Sequence, residues 1–245
     1  MEDRVEGRNA VEALLAAGRA VEVLYVLEGS RHGDPLDRLK SQALSLGVEV
    51  RSVPRRVLDS MSERGAHQGV VAAVAPFRYT PLGDVLSSSA EGPALLIALD
   101  HVTDPGNLGA VVRTADVVGA SGVIVPKDRA AAMTASAMKA AAGAAEYVPV
   151  CREPNLVRAL ESCKERGFWV IGGSEDAEAA AWDAPIEGRV VLVMGAEGAG
   201  LSRLAERACD LLVRLPVRGH VSSLNVAAAT AVLAYEWLRR TPLEA

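Results

Sequence analysis

Residues 94–107 read Ala94-Leu95-Leu96-Ile97-Ala98-Leu99, then Asp100-His101-Val102-Thr103-Asp104-Pro105-Gly106-Asn107. An unbroken apolar run fits a strand covered on both faces, because a half-exposed strand alternates. A helix entry follows at once, with Asp104 as cap and Pro105 at the first helical position. Strand, short loop and helix form one half of a parallel α/β unit, and the pattern repeats outward. Strand runs at 122–125, 147–150, 168–171, 190–194 and 211–215 alternate with helical stretches at 107–118, 130–142, 155–166, 201–207 and 223–239. The alternation predicts a parallel sheet with helices on both faces over residues 93–245.

Upstream, residues 1–75 read as a smaller α/β unit. Strand runs lie at 21–27, 48–53 and 69–75, and helical stretches at 36–46 and 54–61. Asn9 and Glu12 resemble a reciprocal capping pair opening a helix through Ala17, with Gly18 ending it. Between the units, residues 76–92 hold Pro76, Pro81, Gly83, Ser87, Ser88, Ser89 and Gly92. Breakers at that density predict a flexible linker.

Composition narrows the function. The 245 residues carry 26 Lys and Arg against 31 Asp and Glu, a net charge of −5. Neither part is basic: residues 1–92 hold 11 cations against 13 anions, and 93–245 hold 15 against 18. A bulk electrostatic binder of nucleic acid is thereby excluded. Three Trp, four Tyr and two Phe are too few for an aromatic base-stacking platform. Locally, Arg51, Arg55, Arg56 and Arg64 against Asp59 and Glu63 make 51–64 net positive. Cys151, Cys163 and Cys209 are odd in number and far apart, so no disulfide framework is expected. His32, His67, His101 and His220 have no metal-ligand spacing, and no metal is expected. The charged N-terminus and the lack of a long apolar run predict a cytoplasmic protein without a membrane span.

Ligands of parallel sheets bind beyond the carboxyl ends of the strands. Three loops stand out there. The first runs from Asp100 to Ala110 and opens a helix carrying Arg113-Thr114-Ala115-Asp116. Taken alone it admits a structural reading, with Asn107 as a cap and Arg113 paired to Asp116. The second reads Gly195-Ala196-Glu197-Gly198-Ala199-Gly200-Leu201-Ser202. Its G-x-x-G-x-G order is neither the dinucleotide fingerprint nor a P-loop. Glu197 would repel a pyrophosphate, which favours a ligand without phosphates or a carboxylate that holds a cation. The third runs from Pro216 to Asn225, where Ser222 or Ser223 is a good helix cap.

Together, Asp104-Pro105-Gly106-Asn107-Leu108-Gly109-Ala110 with Arg113, Val193-Met194-Gly195-Ala196-Glu197-Gly198, and Leu215-Pro216-Val217 with Ser222-Ser223-Leu224-Asn225 closely resemble the three motifs of the SpoU/TrmH class of RNA ribose 2′-O-methyltransferases. The segments 6–11 and 65–70 resemble the L30e-like substrate-binding domain of many members. Residues 125–129 and 143–146 are most similar to the bacterial branch that methylates a guanosine of 23S rRNA. Ala196 stands where many members of the class carry Asn, and Val217 where Met is frequent.

The resemblance implies a SPOUT fold: a C-terminal α/β domain over 93–245 with a deep trefoil knot and a mostly parallel sheet, preceded by an L30e-like domain over 1–75. It implies a homodimer, to which the small residues Ala227, Ala228, Ala231 and Ala234 would suit a closely packed helix. It implies S-adenosylmethionine, which is cationic at sulfur and carries no phosphate. Met194, Gly195, Glu197, Leu215, Pro216, Val217, Ser223 and Leu224 would hold it. Asn107, Arg113, Glu197, Ser223 and Asn225 would form the catalytic set, and Arg8, Arg64, His67 and Arg113 would contact RNA, with 23S rRNA the foremost substrate. A tRNA-directed or antibiotic-resistance methyltransferase of the same class, or a non-catalytic RNA-binding paralogue, is the alternative. A nucleotide-dependent oxidoreductase is disfavoured by the glycine order.

Arg113 as a general base is physically awkward. A neutral guanidine at pH 7 costs about 7–9 kcal/mol. The better expectation is that Arg113 holds phosphate and stabilises the developing alkoxide.

Overall fold

A computed structural model describes residues 3–16, 21–29, 34–62 and 65–241. The chain divides into two compact units, Met1–Arg78 and Tyr79–Ala245.

The first unit contains β1 (Asp3–Glu6), α1 (Arg8–Ala16), β2 (Val21–Leu27), α2 (Pro35–Ser45), β3 (Glu49–Val53), α3 (Arg55–Met61) and β4 (Val70–Val74). Its sheet has the order β1-β4-β2-β3, with β4 antiparallel to both neighbours and β2 parallel to β3. All five residues of β4 are buried, as a central apolar strand requires. Strand β1 was not expected, since four residues with three charges give no apolar signal. Asn9 lies inside α1 and does not cap it; the expected stop at Ala17 and Gly18 lies outside the described residues. Helix α2 is entered through Asp34, whose side chain accepts from Leu36 N–H, followed by Pro35.

The second unit contains α4 (Leu82–Ser88), β5 (Ala94–Asp100), α5 (Pro105–Val117), β6 (Gly122–Pro126), α6 (Ala135–Ala141), β7 (Val150–Glu153) and α7 (Leu156–Glu165). It continues with β8 (Trp169–Gly173), β9 (Ala179–Ala180), β10 (Arg189–Gly195), α8 (Arg203–Ala208), β11 (Leu211–Arg214) and α9 (Val226–Arg240). The strand order is β7-β6-β5-β10-β8-β11-β9, and every described pair is parallel. All seven residues of β5 are buried, as the opening run predicts.

Four expectations need correction. Residues 76–92 are not a flexible linker throughout: α4 occupies 82–88, and its Leu82, Val85 and Leu86 belong to the second unit's core. Their i, i+3, i+4 spacing outweighs the flanking breakers. Helix α6 is shorter than 130–142, because Thr134 caps it and Ala142 ends it in the left-handed region. Strand β7 begins at Val150, since 144–146 form a 3₁₀ turn. Helix α9 begins at Val226, and its cap is Asn225, not either serine. Cys151, Cys163 and Cys209 are free thiols, each pushed up to about 12 chiefly by burial.

Candidate active site

Because β5, β10 and β11 run parallel, their following loops leave the sheet at one edge. Asp100 ends β5 directly beside Gly195, the last residue of β10. Asp100 is 2% exposed, and its carboxylate accepts from Ser202 N–H at 2.6 Å and meets His101 Nδ1 at 2.5 Å. One buried carboxylate thus ties the first loop to the end of the second. Sequence reasoning assigned Asp100 no role; its place at the end of an apolar run is the signal that marks it.

The second loop folds back on itself. Ala196 N–H donates to Gly200 O at 3.1 Å, and Gly200 N–H to Ala196 O at 2.8 Å. A Cβ on Gly195 would lie 2.1 Å from the Gly200 carbonyl carbon. At this position glycine therefore serves the loop's own closure. The closure presents Glu197 outward, toward two asparagines from the other loops.

Asp104 caps α5 by accepting from Asn107 N–H at 2.7 Å, which frees the Asn107 side chain from capping. Asn107 Nδ2 donates to Glu197 Oε1 at 3.3 Å. Asn225 Nδ2 donates to Asn107 Oδ1 at 2.9 Å and also to Glu197 Oε1. Asn225 Oδ1 meanwhile accepts from Ala227 and Ala228 N–H at 3.0 and 3.3 Å, closing the first turn of α9. Glu197 Oε1 takes a further contact from Val226 N–H at 3.4 Å. Three loops are joined by one carboxylate oxygen and two amides.

The other expected catalytic residues, Arg113 and Ser223, make no hydrogen bond to this cluster among the described residues. Arg113 lies six residues beyond Asn107, about 9 Å along the helix. Its side chain is exposed and has no hydrogen-bond or ion-pair partner among the described residues, so the Asp116 pairing does not form. Ser223 is exposed in the third loop. Of the expected cofactor residues, Leu215 is half-buried, whereas Pro216, Val217 and Leu224 are exposed. The Met194 side chain is buried, with its sulfur 3.1 Å from where a Cβ on Gly173 would sit, so only its backbone faces the loop.

The chemistry of this edge suits S-adenosylmethionine. Glu197 Oε2 has no hydrogen-bond partner among the described residues, leaving an anionic oxygen for a cation. Val217 and Leu224, 48% and 51% exposed, offer apolar surface. Among the described residues no group of three His, Cys, Asp or Glu is placed to hold a metal, and no helix is long and apolar enough to cross a membrane.

In the first unit, Arg8 is partly exposed and its Nε donates to Gln68 O at 3.1 Å. His67 departs from expectation. Its ring is 5% exposed, with Nδ1 accepting from Gly69 N–H at 2.9 Å and Nε2 at 2.9 Å from Asp59 Oδ1. Both nitrogens are engaged inside the fold, which leaves no ring nitrogen free to contact RNA. Arg64 lies outside the described residues.

Residues 94–235 match the model of the SpoU rRNA Methylase family, and residues 4–80 match that of RNA 2′-O ribose methyltransferase substrate binding. A 23S rRNA (guanosine-2′-O-)-methyltransferase RlmB of Pseudomonas aeruginosa is 47% identical, over 99% of this chain and 98% of its own. The protein of that name from Escherichia coli is 42% identical, over 98% of this chain and 99% of its own. An AdoMet-bound rRNA methyltransferase from Sinorhizobium meliloti superposes with a TM-score of 0.69 at 28% identity, covering 98% of this chain and 87% of that one. The SpoU methyltransferase AviRb from Streptomyces viridochromogenes shares the fold with a TM-score of 0.72 at 24% identity, covering 98% of this chain and 90% of that one.

Proposed function

The chain belongs to the SpoU rRNA methylase family, and from that premise we propose that it methylates a ribose 2′-oxygen of RNA, a guanosine of 23S rRNA, with S-adenosylmethionine as donor. The observation that carries this reading is the Asn107–Glu197–Asn225 cluster, which joins three loops beside a carboxylate oxygen that has no partner among the described residues.

The bound cofactor supplies an electrophilic methyl group on a positively charged sulfur. Glu197, backbone groups around Gly195 and 215–217, and the exposed face of Leu224 are the groups that would hold it. The protein's part in the chemistry is positioning and charge. Asn107 and Asn225 have their amides fixed by each other and by Glu197, so a ribose hydroxyl meets preoriented polar groups. Arg113 keeps its proton and offers a permanent charge to a phosphate and to the oxyanion that develops at the 2′-position. Its side chain's lack of a partner among the described residues supports that role.

Three finer features belong to the same proposal. The N-terminal unit is an L30e-like RNA-binding domain. The C-terminal unit is knotted, supported by a strand order in which β10 lies between β5 and β8 and by α9 packing on α5 and β10. The enzyme is a homodimer through α9, whose Ala228, Ala231, Val232, Tyr235 and Leu238 form a partly or fully exposed apolar stripe. Ala234, expected on that stripe, is instead buried inside its own unit.

The test is transfer of labelled methyl from S-adenosylmethionine to 23S rRNA, with mapping of 2′-O-methyl sites in cells lacking the gene. A missing mark at one 23S guanosine supports the reading. A missing mark in tRNA redirects the substrate, and no transfer to any RNA overturns the enzyme.

A further inference from the structure

Asp100 holds both ends of the second loop. Its backbone stands beside Gly195 in the parallel β5–β10 pair, where the loop leaves the sheet. Its side chain reaches the point where the loop ends, Oδ2 accepting the Ser202 N–H at 2.6 Å. Residues 196–201 are strung between those two points. Leu201 packs against the second unit's core, whereas 197–200 are exposed. The shape of the exposed part, Glu197 included, therefore depends on what holds its ends.

The anchor is a buried charge. The Asp100 side chain is 2% exposed, and a carboxylate out of water needs both oxygens satisfied. His101 Nδ1 serves the second one, Oδ1, at 2.5 Å. An ionised carboxylate only accepts, so the imidazole donates. His101 does so from a left-handed backbone, φ +58, a region that a residue other than glycine enters at a cost.

Ser202 has two separable duties. Its N–H goes to Asp100, and its Oγ caps α8 by accepting from Ala205 N–H at 3.3 Å. Its φ is −66, the value that proline fixes. Proline there removes the N–H together with the cap, and alanine removes the cap alone.

We propose that Asp100 is a positioning residue for S-adenosylmethionine. It acts through the Ser202 N–H and fixes the 195–201 loop, so that Glu197 and the backbone at 195–196 meet the cofactor in one arrangement. Without the anchor the loop samples other shapes, and binding must first order it. The proposal rests on the reading that the chain uses S-adenosylmethionine. It adds the buried group, outside the loop, that preorganises the cofactor site.

The full-length protein is titrated with S-adenosylhomocysteine by calorimetry. Hydrogen exchange over 195–202 is followed in the unliganded protein, and melting curves are taken on every variant. Asp100→Ala and Ser202→Pro each weaken binding about tenfold or more, the scale of a lost hydrogen bond to a charged group. Both also speed exchange of the loop. The double variant binds no more weakly than either single one, because both break the same bond. Ser202→Ala, which keeps the N–H, stays within about twofold of wild type. So does Leu86→Ala, a core truncation on α4 that lowers the melting temperature. Asp100→Asn, whose amide oxygen still accepts the Ser202 N–H, recovers most of the affinity. In methyl transfer, Asp100→Ala raises KM for S-adenosylmethionine about tenfold and leaves KM for RNA within about twofold. Wild-type affinity in Asp100→Ala overturns the proposal. Equal weakening by Ser202→Ala and Ser202→Pro, or by Leu86→Ala, overturns it as an effect of general stability. Should Asp100→Ala fail to fold, the two Ser202 variants decide, and unchanged loop exchange in Ser202→Pro refutes the anchor by itself. A wild type that binds no S-adenosylhomocysteine instead strikes the functional reading.

Discussion

Asn225 Nδ2 donates to Asn107 Oδ1 at 2.9 Å across 118 residues of sequence. The same Asn225 caps α9 with its other side-chain atom. One residue therefore joins a helix start to the reactive edge. Asn225→Asp separates the two duties. The carboxylate still accepts from Ala227 and Ala228, so the cap survives. It no longer donates to Asn107 and sets a second negative charge beside Glu197. The expected outcome is a melting temperature within a few degrees of wild type and methyl transfer reduced about 100-fold, the scale of an ångström-level misplacement. Asn225→Ala should lose activity and in addition about 1 kcal/mol of stability through the cap. Melting curves and single-turnover transfer read both.

The Arg113 side chain has no partner among the described residues, so its substitution should cost the fold little. Arg113→Lys keeps the charge and removes the planar fork. Stability should stay within about 0.5 kcal/mol of wild type, the ordinary range for a surface change. Transfer should fall at least tenfold if two-point phosphate contact matters, and near-normal turnover would remove the fork from the mechanism. The pH–rate profile should be flat above neutrality, because a permanently charged guanidinium does not titrate there.

Gly109 sits between Asn107 and Arg113 for a packing reason. A Cβ there would lie 2.2 Å from Ala137 O and 2.6 Å from the Ala140 Cβ. Helix α5 passes α6 at backbone contact, and nothing flexible is present to yield. Gly109→Ala should destabilise the second unit by about 1–3 kcal/mol or more, despite alanine's better helix propensity. Chemical denaturation measures it, and a stabilised variant would refute the contact.

Most of the second unit's strands were legible because they are apolar and bounded by turn residues, as Ala94 to Leu99 shows; β7, with Arg152 and Glu153, lies three residues beyond the expected run, and the two-residue β9 gave no signal. Its loops were legible as motifs, and Asn107, Glu197 and Asn225 do meet. What the sequence could not show is which of them would touch, since contacts across 90 or 118 residues depend on strand order. It also misplaced the α9 cap: Ser222, Ser223 and Asn225 are all good caps, and only the path of the third loop chooses Asn225. His67 misled for a related reason. A histidine in a Gly-flanked turn resembles a surface residue until Asp59, eight positions earlier, is seen to accept its proton. The helix at 82–88 was hidden by the prolines and serines around it, although Leu82, Val85 and Leu86 carry its apolar face.

The last turn of α9 makes acid stability testable. Glu236 is 6% exposed, accepts two hydrogen bonds from Arg239 at 2.7 and 2.9 Å, and one from Arg240 at 2.5 Å. The bonds from Arg239 foremost, opposed by burial and reinforced by Arg240, hold its carboxyl down to about 2. In the unfolded chain the same group titrates near ~4.3. A carboxylate lowered on folding stabilises the protein fully above its unfolded value, and that contribution is lost as pH falls toward the folded one. The window is therefore roughly pH 5 to 2, and the stake is on the order of 2–3 kcal/mol. Glu236→Gln keeps the shape and removes the titration. Its unfolding midpoint should lie below wild type at pH 7 and fall less steeply between pH 5 and 2.5, so that the two curves converge in acid. Curves that remain parallel through that range would mean that the Arg239–Glu236–Arg240 cluster contributes no pH-dependent stability.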